Sequence, residues 1–423
     1  MNQIDSLLKG LHNCACGREH ECPIESVRIG SGAISCLEQL CENHQHILLV
    51  TDDHLWPQYG QKAFTRIQAK ARPLVLNGDG RVIIPNERAI DEIDACITPE
   101  TDLIVGVGSG VINDLCKHVS FRHDLPYMIV ATAPSMDGFA SAGAALILEG
   151  MKITLGARPP KAIIGDTDIL KNAPMEMIQS GWGDIIGKYS CLNDWKLSAL
   201  INGEYFCQAV YDLVYDTTRK VEKLAGGILQ RDEQAIAALM EALVIVGIAM
   251  SFIGNSRPAS GSEHHLSHYF EITGILHNEP YYPHGTDVLY SSVVTARLRE
   301  ILASSIPARQ SFDDTAWEKE IRRIYASSAE GVIHLQKKLG WHEKDVFFSI
   351  AGKWGSICRI LREAPAEKEM IQMVHAIGLD IDQFNAFYGK EKINDAVLYA
   401  KDLKDRYSVL WLFEKAHAPV GWL

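Results

Sequence analysis

The stretch Ser256 to Gly285, SRPASGSEHHLSHYFEITGILHNEPYYPHG, holds five of the chain's sixteen histidines. His264 and His268 are four apart and share a face if the stretch is helical. His284 precedes Gly285 after a turn rich in Pro and Tyr. Two imidazoles from a helix and one from the following loop can converge on a metal if a carboxylate joins them. Asp184, in GWGDIIGKY, is the candidate carboxylate. Read near the start of a helix, it projects with Lys188 one turn later. An aspartate there is also what the helix dipole alone favours. Asp184, His264 and His284 make a three-ligand catalytic set with room for substrate and water. Ligand type by itself suits Zn, Ni and Fe(II) equally. His268, one turn from His264, is then close enough to touch substrate without needing to bind metal. His265 faces elsewhere and His277 falls in the loop. Any one of these histidines alone reads more simply as a structural residue.

A second set of residues suits a dinucleotide. GVGSG at 106–110 follows an apolar run and precedes a helical pattern. Gly106, Gly108 and Gly110 admit a close pyrophosphate, and the helix N-terminus offers N–H donors. The G-x-G-x-G spacing also fits a plain tight strand–helix turn. Asp52 ends an earlier apolar run, where a carboxylate can bond a ribose 2′-hydroxyl and repel a 2′-phosphate, which favours NAD over NADP. TAPSMDGFAS, Thr132 to Ser141, gathers small hydroxyl residues around Asp137. Its Asp-Gly pair is otherwise simple turn chemistry. Near the N-terminus, HNCACGREHEC offers His12, Cys14, Cys16, His20 and Cys22. The spacing lacks the paired CxxC units of structural zinc sites and reads as a polar arm before the first strand.

These residues need a scaffold of more than one core. At 423 residues two domains are expected. The balance of 41 basic against 53 acidic residues gives a net charge of −12. That argues against nucleic-acid or anionic-membrane partners, though not against an anionic substrate. No run of 18 apolar residues is seen, so no transmembrane helix is expected. The N-terminus carries no signal-peptide core, and ten cysteines are expected to be reduced thiols in the cytoplasm.

Apolar runs at 26–34, 46–56, 72–78, 101–110 and 125–135 alternate with helical patterns of ten to fourteen residues. Such alternation specifies βαβ units and a parallel sheet. The intervening patterns at 36–45, 57–70, 86–97 and 111–123 are expected as helices, with Asn86 an N-cap. Residues 145–155 read as a hairpin about Glu149-Gly150, and 159–170 add another strand. From about residue 172 helical periodicity runs to the end. No internal repeat or low-complexity linker is seen. The expected architecture is an α/β Rossmann-like domain over residues 1–174, then an all-helical metal- and substrate-binding domain over 175–423. The active site is expected in the cleft between them.

GVGSGVINDLCK, TAPSMDGFAS, GWGDIIGKY, SRPASGSEHHLSH and YPHG, in this order, resemble the glycerol-1-phosphate dehydrogenases. Within the superfamily of iron-type alcohol dehydrogenases, glycerol dehydrogenases and dehydroquinate synthases, the likeness is to the bacterial type linked to arabinose-operon genes. It runs from CACGREH to AKDLKDRYSVLWL. The resemblance implies metal ligation by Asp184, His264 and His284, and substrate contacts from Asp137, Asp184 and His268, the last two catalytic. It implies dinucleotide contacts from Gly108, Ser109, Gly110, Thr132, Ser135 and Ser141, with Asp52 on the ribose. Ser109 stands where many superfamily members have a third consecutive glycine, and it offers the same backbone N–H. A homodimer is implied, using NADH or NADPH and one zinc or nickel ion in preference to iron. The implied reaction is reduction of dihydroxyacetone phosphate to sn-glycerol 1-phosphate. Arg257 and Lys188 are the cations expected to meet the phosphate. The competing activities are a glycerol or polyol dehydrogenase, a dehydroquinate-synthase-like lyase and a non-catalytic metabolite-binding protein.

Overall fold

A computed structural model describes residues 3–80, 82–148 and 151–417. They group into two compact units, 1–182 with 219–255, and 183–218 with 256–423. The first unit is built on strands β1 (Ser26–Gly30), β2 (Ile47–Asp52), β3 (Ala71–Leu76), β4 (Leu103–Gly108) and β5 (Tyr127–Ala131). Strands β6 (Gly143–Leu148), β7 (Met151–Gly156) and β8 (Ala162–Asp166) complete it. Six of them form one parallel sheet in the order β1-β8-β5-β4-β2-β3. Its central strands β4, β5 and β8 are buried along their whole length, which is why they read as unbroken apolar runs without alternation.

β6 and β7 pair antiparallel from Gly143–Gly156 to Leu148–Met151. Glu149 and Gly150 themselves lie outside the described residues. Asn86 caps the helix Glu87–Asp94 by accepting from the Ala89 amide at 3.3 Å. The expected helix over 36–45 is cut to a 3₁₀ turn at Ala33–Cys36 and four α-helical residues, Leu37–Leu40. The expected helix over 57–70 opens as a π-helical turn, Trp56–Gly60, before the α-helix Gln61–Ile67.

The helix Glu233–Ile253 belongs with the sheet, although its sequence offers no strand. It is apolar on nearly all sides, with a mean hydropathy of 2.4 over an 18-residue window, and so is long and apolar enough to cross a membrane. Glu241 and Ser251 keep it short of an unbroken run of 18 apolar residues. Its surroundings are protein: 78% of that window is buried. A Cβ on Gly247 would lie 2.6 Å from Ala140 Cβ, and one on Gly165 would lie 3.0 Å from Met240 Cγ. Such close backbone approach marks a core helix seated on the sheet and on the Asp137–Ala140 turn.

The second unit contains only helices among its described residues. One buried cluster ties its C-terminal part together. His342 Nε2 meets Asp402 at 2.8 Å, and Lys401 meets Asp402 at 3.0 Å and Glu414 at 2.7 Å. Burial pushes the Glu414 carboxyl up, but Lys401 and His342 outweigh it and hold the group down at about 2. The ordinary glutamate value is about 4.3. The unfolded chain therefore takes up this proton first on acidification, and the contribution is complete above that value and lost as pH falls toward 2. Thermal unfolding followed from pH 6 to pH 2.5 is expected to show a falling midpoint below about pH 4. Glu414→Gln is expected to unfold at a lower temperature at pH 6 and to show a shallower fall.

Candidate metal and dinucleotide sites

The second unit brings Asp184, His264 and His284 together, with one potential ligand atom of each within 4.8 Å of the others. Each arrives on a helix. Asp184 sits in the last turn of Met175–Ile186, not near a helix start as expected. A carboxylate at a helix C-terminus is disfavoured by the dipole. Lys188 compensates from the start of the next helix, Lys188–Asn202, donating to Asp184 Oδ1 at 2.7 Å and to the Ala259 carbonyl at 3.0 Å. His264 lies in the first turns of Ser262–His277. His284 is the first residue of His284–Ala303, not part of a loop, because Pro283 at the N-cap starts the helix there. His277, also expected in a loop, ends the Ser262–His277 helix.

Two glycines set the approach. A Cβ on Gly183 would lie 2.4 Å from the Gly285 carbonyl oxygen, so only glycine lets Asp184's turn press on the start of His284's helix. One on Gly187 would lie 2.4 Å from Val288 Cγ1.

Glu263 is a residue that sequence reasoning missed. Its Oε1 accepts from His264 Nδ1 at 2.6 Å and from the Gly261 amide at 2.8 Å. That bond turns His264 Nε2 toward Asp184 Oδ1, 3.5 Å away. Burial pushes the Asp184 carboxyl up, but Lys188 and then His264 more than reverse this, holding it well below the usual range. Burial and Lys188 push His264 down, yet its bonds to Asp184 and Glu263 leave it raised. An anionic, pre-oriented carboxylate–imidazole set is what a divalent cation requires, so the residues present fit one. His268 stands beside the trio, its ring centre 6.0 Å from that of His264 and 5.5 Å from that of His284. His265 is fully buried and kept neutral chiefly by that burial. Removing Glu263 as Glu263→Ala is expected to weaken metal affinity roughly 10–100-fold. Glu263→Gln, which keeps the acceptor but not the charge, is expected to fall between, as competition with a chromogenic chelator would measure.

The two cations assigned to the phosphate are committed elsewhere. Arg257 is buried and grips Glu204 through Nε at 2.9 Å and Nη2 at 2.7 Å, with the Tyr407 carbonyl at 2.6 Å. Lys188 is buried against Asp184. Lys188 reaches a substrate phosphate only by giving up its buried partner.

In the first unit, Asp52, Gly108 and Thr132 lie at the carboxyl ends of the adjacent strands β2, β4 and β5. Ligands of open parallel sheets bind at that edge. A Cβ on Gly108 would sit 2.5 Å from Ile112, so glycine is what allows the helix Gly110–Arg122 to fold straight back from β4. Asp52 Oδ1 accepts from the Leu55 amide at 2.8 Å and closes the turn after β2. Thr132, Ser135, Asp137 and Ser141 are all buried, and Ser109 precedes the helix as its N-cap residue. Lys117 is the second residue the sequence did not flag. Its Nζ donates to the Gly138 and Gly143 carbonyls at 2.7 and 2.9 Å and to Ser141 Oγ at 3.2 Å, clamping the TAPSMDGFAS loop. The strand end, the bare glycine turn and the helix N-terminus fit a dinucleotide pyrophosphate.

Residues 28–174 match the family described as "Iron-containing alcohol dehydrogenase". A glycerol-1-phosphate dehydrogenase [NAD(P)+] of Halalkalibacterium halodurans is 33% identical over 292 residues, covering 67% of this chain and 73% of that protein. One from Bacillus licheniformis is 28% identical over 421 residues, covering 97% of this chain and 94% of that protein. Among solved structures, a glycerol dehydrogenase from Schizosaccharomyces pombe superposes with a TM-score of 0.54 at 15% identity, covering 91% of this chain and 94% of that one. At that identity the likeness speaks for the fold.

Proposed function

The chain belongs to the glycerol-1-phosphate dehydrogenase family, and we propose that Asp184, His264 and His284 hold the divalent metal at which it reduces dihydroxyacetone phosphate to sn-glycerol 1-phosphate. The convergence of those three side chains, in a chain whose relatives carry that name, is the observation on which the reading rests. When bound, the metal supplies polarisation of the ketone and the reduced nicotinamide supplies the hydride.

The protein's own groups do the rest. Asp184 would meet the cation as a carboxylate, with Lys188 donating to its Oδ1. Glu263 occupies His264 Nδ1 and leaves Nε2 on the Asp184 side, from where it would bind the cation. His268 contacts the substrate and hands a proton, directly or through water, to the C2 oxygen as hydride arrives at C2. Asp137 contacts the substrate as well. Gly108, Ser109, Gly110, Thr132, Ser135 and Ser141 line the dinucleotide, and Asp52 takes the ribose hydroxyls. The donor set suits zinc, nickel and iron alike, and zinc or nickel is put ahead of iron on the family resemblance alone. NAD(H) is favoured over NADP(H) because Asp52 repels a 2′-phosphate. The working form is a homodimer. None of the ten cysteines, all among the described residues, is in a disulfide, which favours a reducing cytoplasm.

One assay tests the reading: NADH and NADPH oxidation with dihydroxyacetone phosphate, after chelation and return of Zn, Ni or Fe, with product chirality determined. Turnover of the phosphate ester to the sn-1 isomer is expected. Equal or better turnover of unphosphorylated dihydroxyacetone would make it a polyol dehydrogenase. Product formed without net NADH consumption would make it a lyase.

A further inference from the structure

The N-terminal run HNCACGREHEC takes no part in either site above. The polar arm expected from its spacing is folded into a closed knuckle. Leu11 and His20 exchange two backbone bonds, the Leu11 amide to the His20 carbonyl at 2.9 Å and the His20 amide to the Leu11 carbonyl at 3.1 Å. Gly10, at φ 82°, permits this: a Cβ there would lie 2.5 Å from the His20 oxygen. Inside the loop the Gly17 amide bonds the Cys14 carbonyl at 2.9 Å, with Gly17 at φ 81°. That tight turn sets Cys14 and Cys16 on the His20 side. The ligand atoms of Cys14, Cys16 and His20 all lie within 4.8 Å of one another. Cys16 Sγ is 3.3 Å from His20 Nε2. Tetrahedral zinc, with bonds of about 2.3 Å to sulfur and about 2.05 Å to nitrogen, sets such a pair roughly 3.5 Å apart.

His20 is only 1% exposed, and its Nδ1 bonds the Phe252 carbonyl at 2.8 Å. This is the outer bond that fixes a ligating imidazole with its other nitrogen toward the ion. The other two candidates in this run stand apart from the group. His12 spends Nδ1 on Glu19 and Nε2 on the Lys9 carbonyl, both at 2.8 Å. Cys22 does not join the group. We infer that Cys14, Cys16 and His20 supply three of the ligands of a second, structural metal site that takes zinc or a similarly thiophilic divalent ion. Two sulfurs and one imidazole select such an ion over Mg or Ca. On binding, the two thiols lose their protons and become thiolate donors. The ion then pins the N-terminal knuckle, through His20, to the Glu233–Ile253 helix that carries Phe252. Nothing is oxidised, and the site is independent of the Asp184 set.

The test uses cobalt as the probe. The full-length protein is produced in cobalt-supplemented medium, purified anaerobically and examined by absorption spectroscopy. The Asp184, His264, His284 set has no sulfur and cannot give a near-ultraviolet thiolate-to-cobalt charge-transfer band. The wild type is expected to show that band. His264→Ala is expected to keep it, and Cys14→Ser and Cys16→Ser to lose most of it, with Cys36→Ser as the control that does not. Zinc-grown protein is expected to carry about two ions per chain, falling by about one in either His264→Ala or the Cys14→Ser/Cys16→Ser pair. Cobalt-loaded wild type without the band would overturn the inference, and this arm needs no variant to fold. A band left unchanged by both serine variants, or a Cys14–Cys16 disulfide in the anaerobic protein, would also overturn it.

Discussion

His264→Ala is expected to lower kcat/KM for dihydroxyacetone phosphate by on the order of 10³-fold, with the protein still folded and one metal ion per chain lost. The size follows from what the ion does: polarising a carbonyl is worth several kcal/mol of transition-state stabilisation, and each 1.4 kcal/mol is about tenfold. The fold is expected to survive because each buried carboxylate keeps one hydrogen-bond donor. Asp184 keeps its 2.7 Å bond to Lys188, and Glu263 keeps the Gly261 amide. His268→Ala separates the roles. It is expected to keep the metal and to lose roughly 10²–10⁴-fold in kcat, the range for a positioned proton donor. Metal analysis beside steady-state kinetics distinguishes the two. A His264→Ala protein with full metal content and activity would remove His264 from the ligand set, and a metal-depleted His268→Ala would move His268 into it.

The parts of this arrangement that were legible in the sequence are those governed by short-range pattern. Parallel strands buried on both faces must be apolar throughout, so β2, β4, β5 and β8 announced themselves as runs. The turn at Gly106 to Gly110 was legible because close strand–helix approach demands missing Cβ atoms. The i, i+4 spacing of His264 and His268 placed them on one helix. What could not be read depends on contacts between distant segments. A helix apolar on all sides, such as Glu233–Ile253, has no face to declare its neighbour, and it packs with the sheet unit. Arg257 and Lys188 look like free cations in the sequence because their partners, Glu204 and Asp184, are visible only in three dimensions.

Glu263 was overlooked for a different reason. Adjacent helical residues normally point apart. At the second position of its helix its side chain folds back to the Gly261 amide, and this brings Oε1 onto the neighbouring imidazole. Lys117 was hidden in the same way, since its acceptors at Gly138, Ser141 and Gly143 lie in a loop more than twenty residues on.

Gly183→Ala carries the second large expected effect, although it touches neither metal nor substrate. The added methyl would lie 2.4 Å from the Gly285 oxygen, 3.1 Å from the Gly285 carbonyl carbon and 3.0 Å from Leu289 Cβ. Two of those three atoms are backbone and cannot rotate aside. Either the last turn of Asp184's helix or the first turn of His284's helix must move. Overpacking of this kind costs about 1–3 kcal/mol of stability. The larger loss is geometric, because Asp184 follows the substituted residue directly and His284 precedes the residue it strikes. A shift of about 1 Å between groups that must act together costs on the order of 10²-fold in rate. The variant is therefore expected to lose about that much kcat/KM and to bind metal more weakly, while its unfolding midpoint falls only by a few degrees. Gly226→Ala is the matched control: its Cβ meets nothing within 4 Å, and it sits in the short helix Ala225–Leu229, so activity and stability should be unchanged or slightly raised. Equal activity in the two alanine variants would mean that the approach of Gly183 to Gly285 does not set the metal geometry.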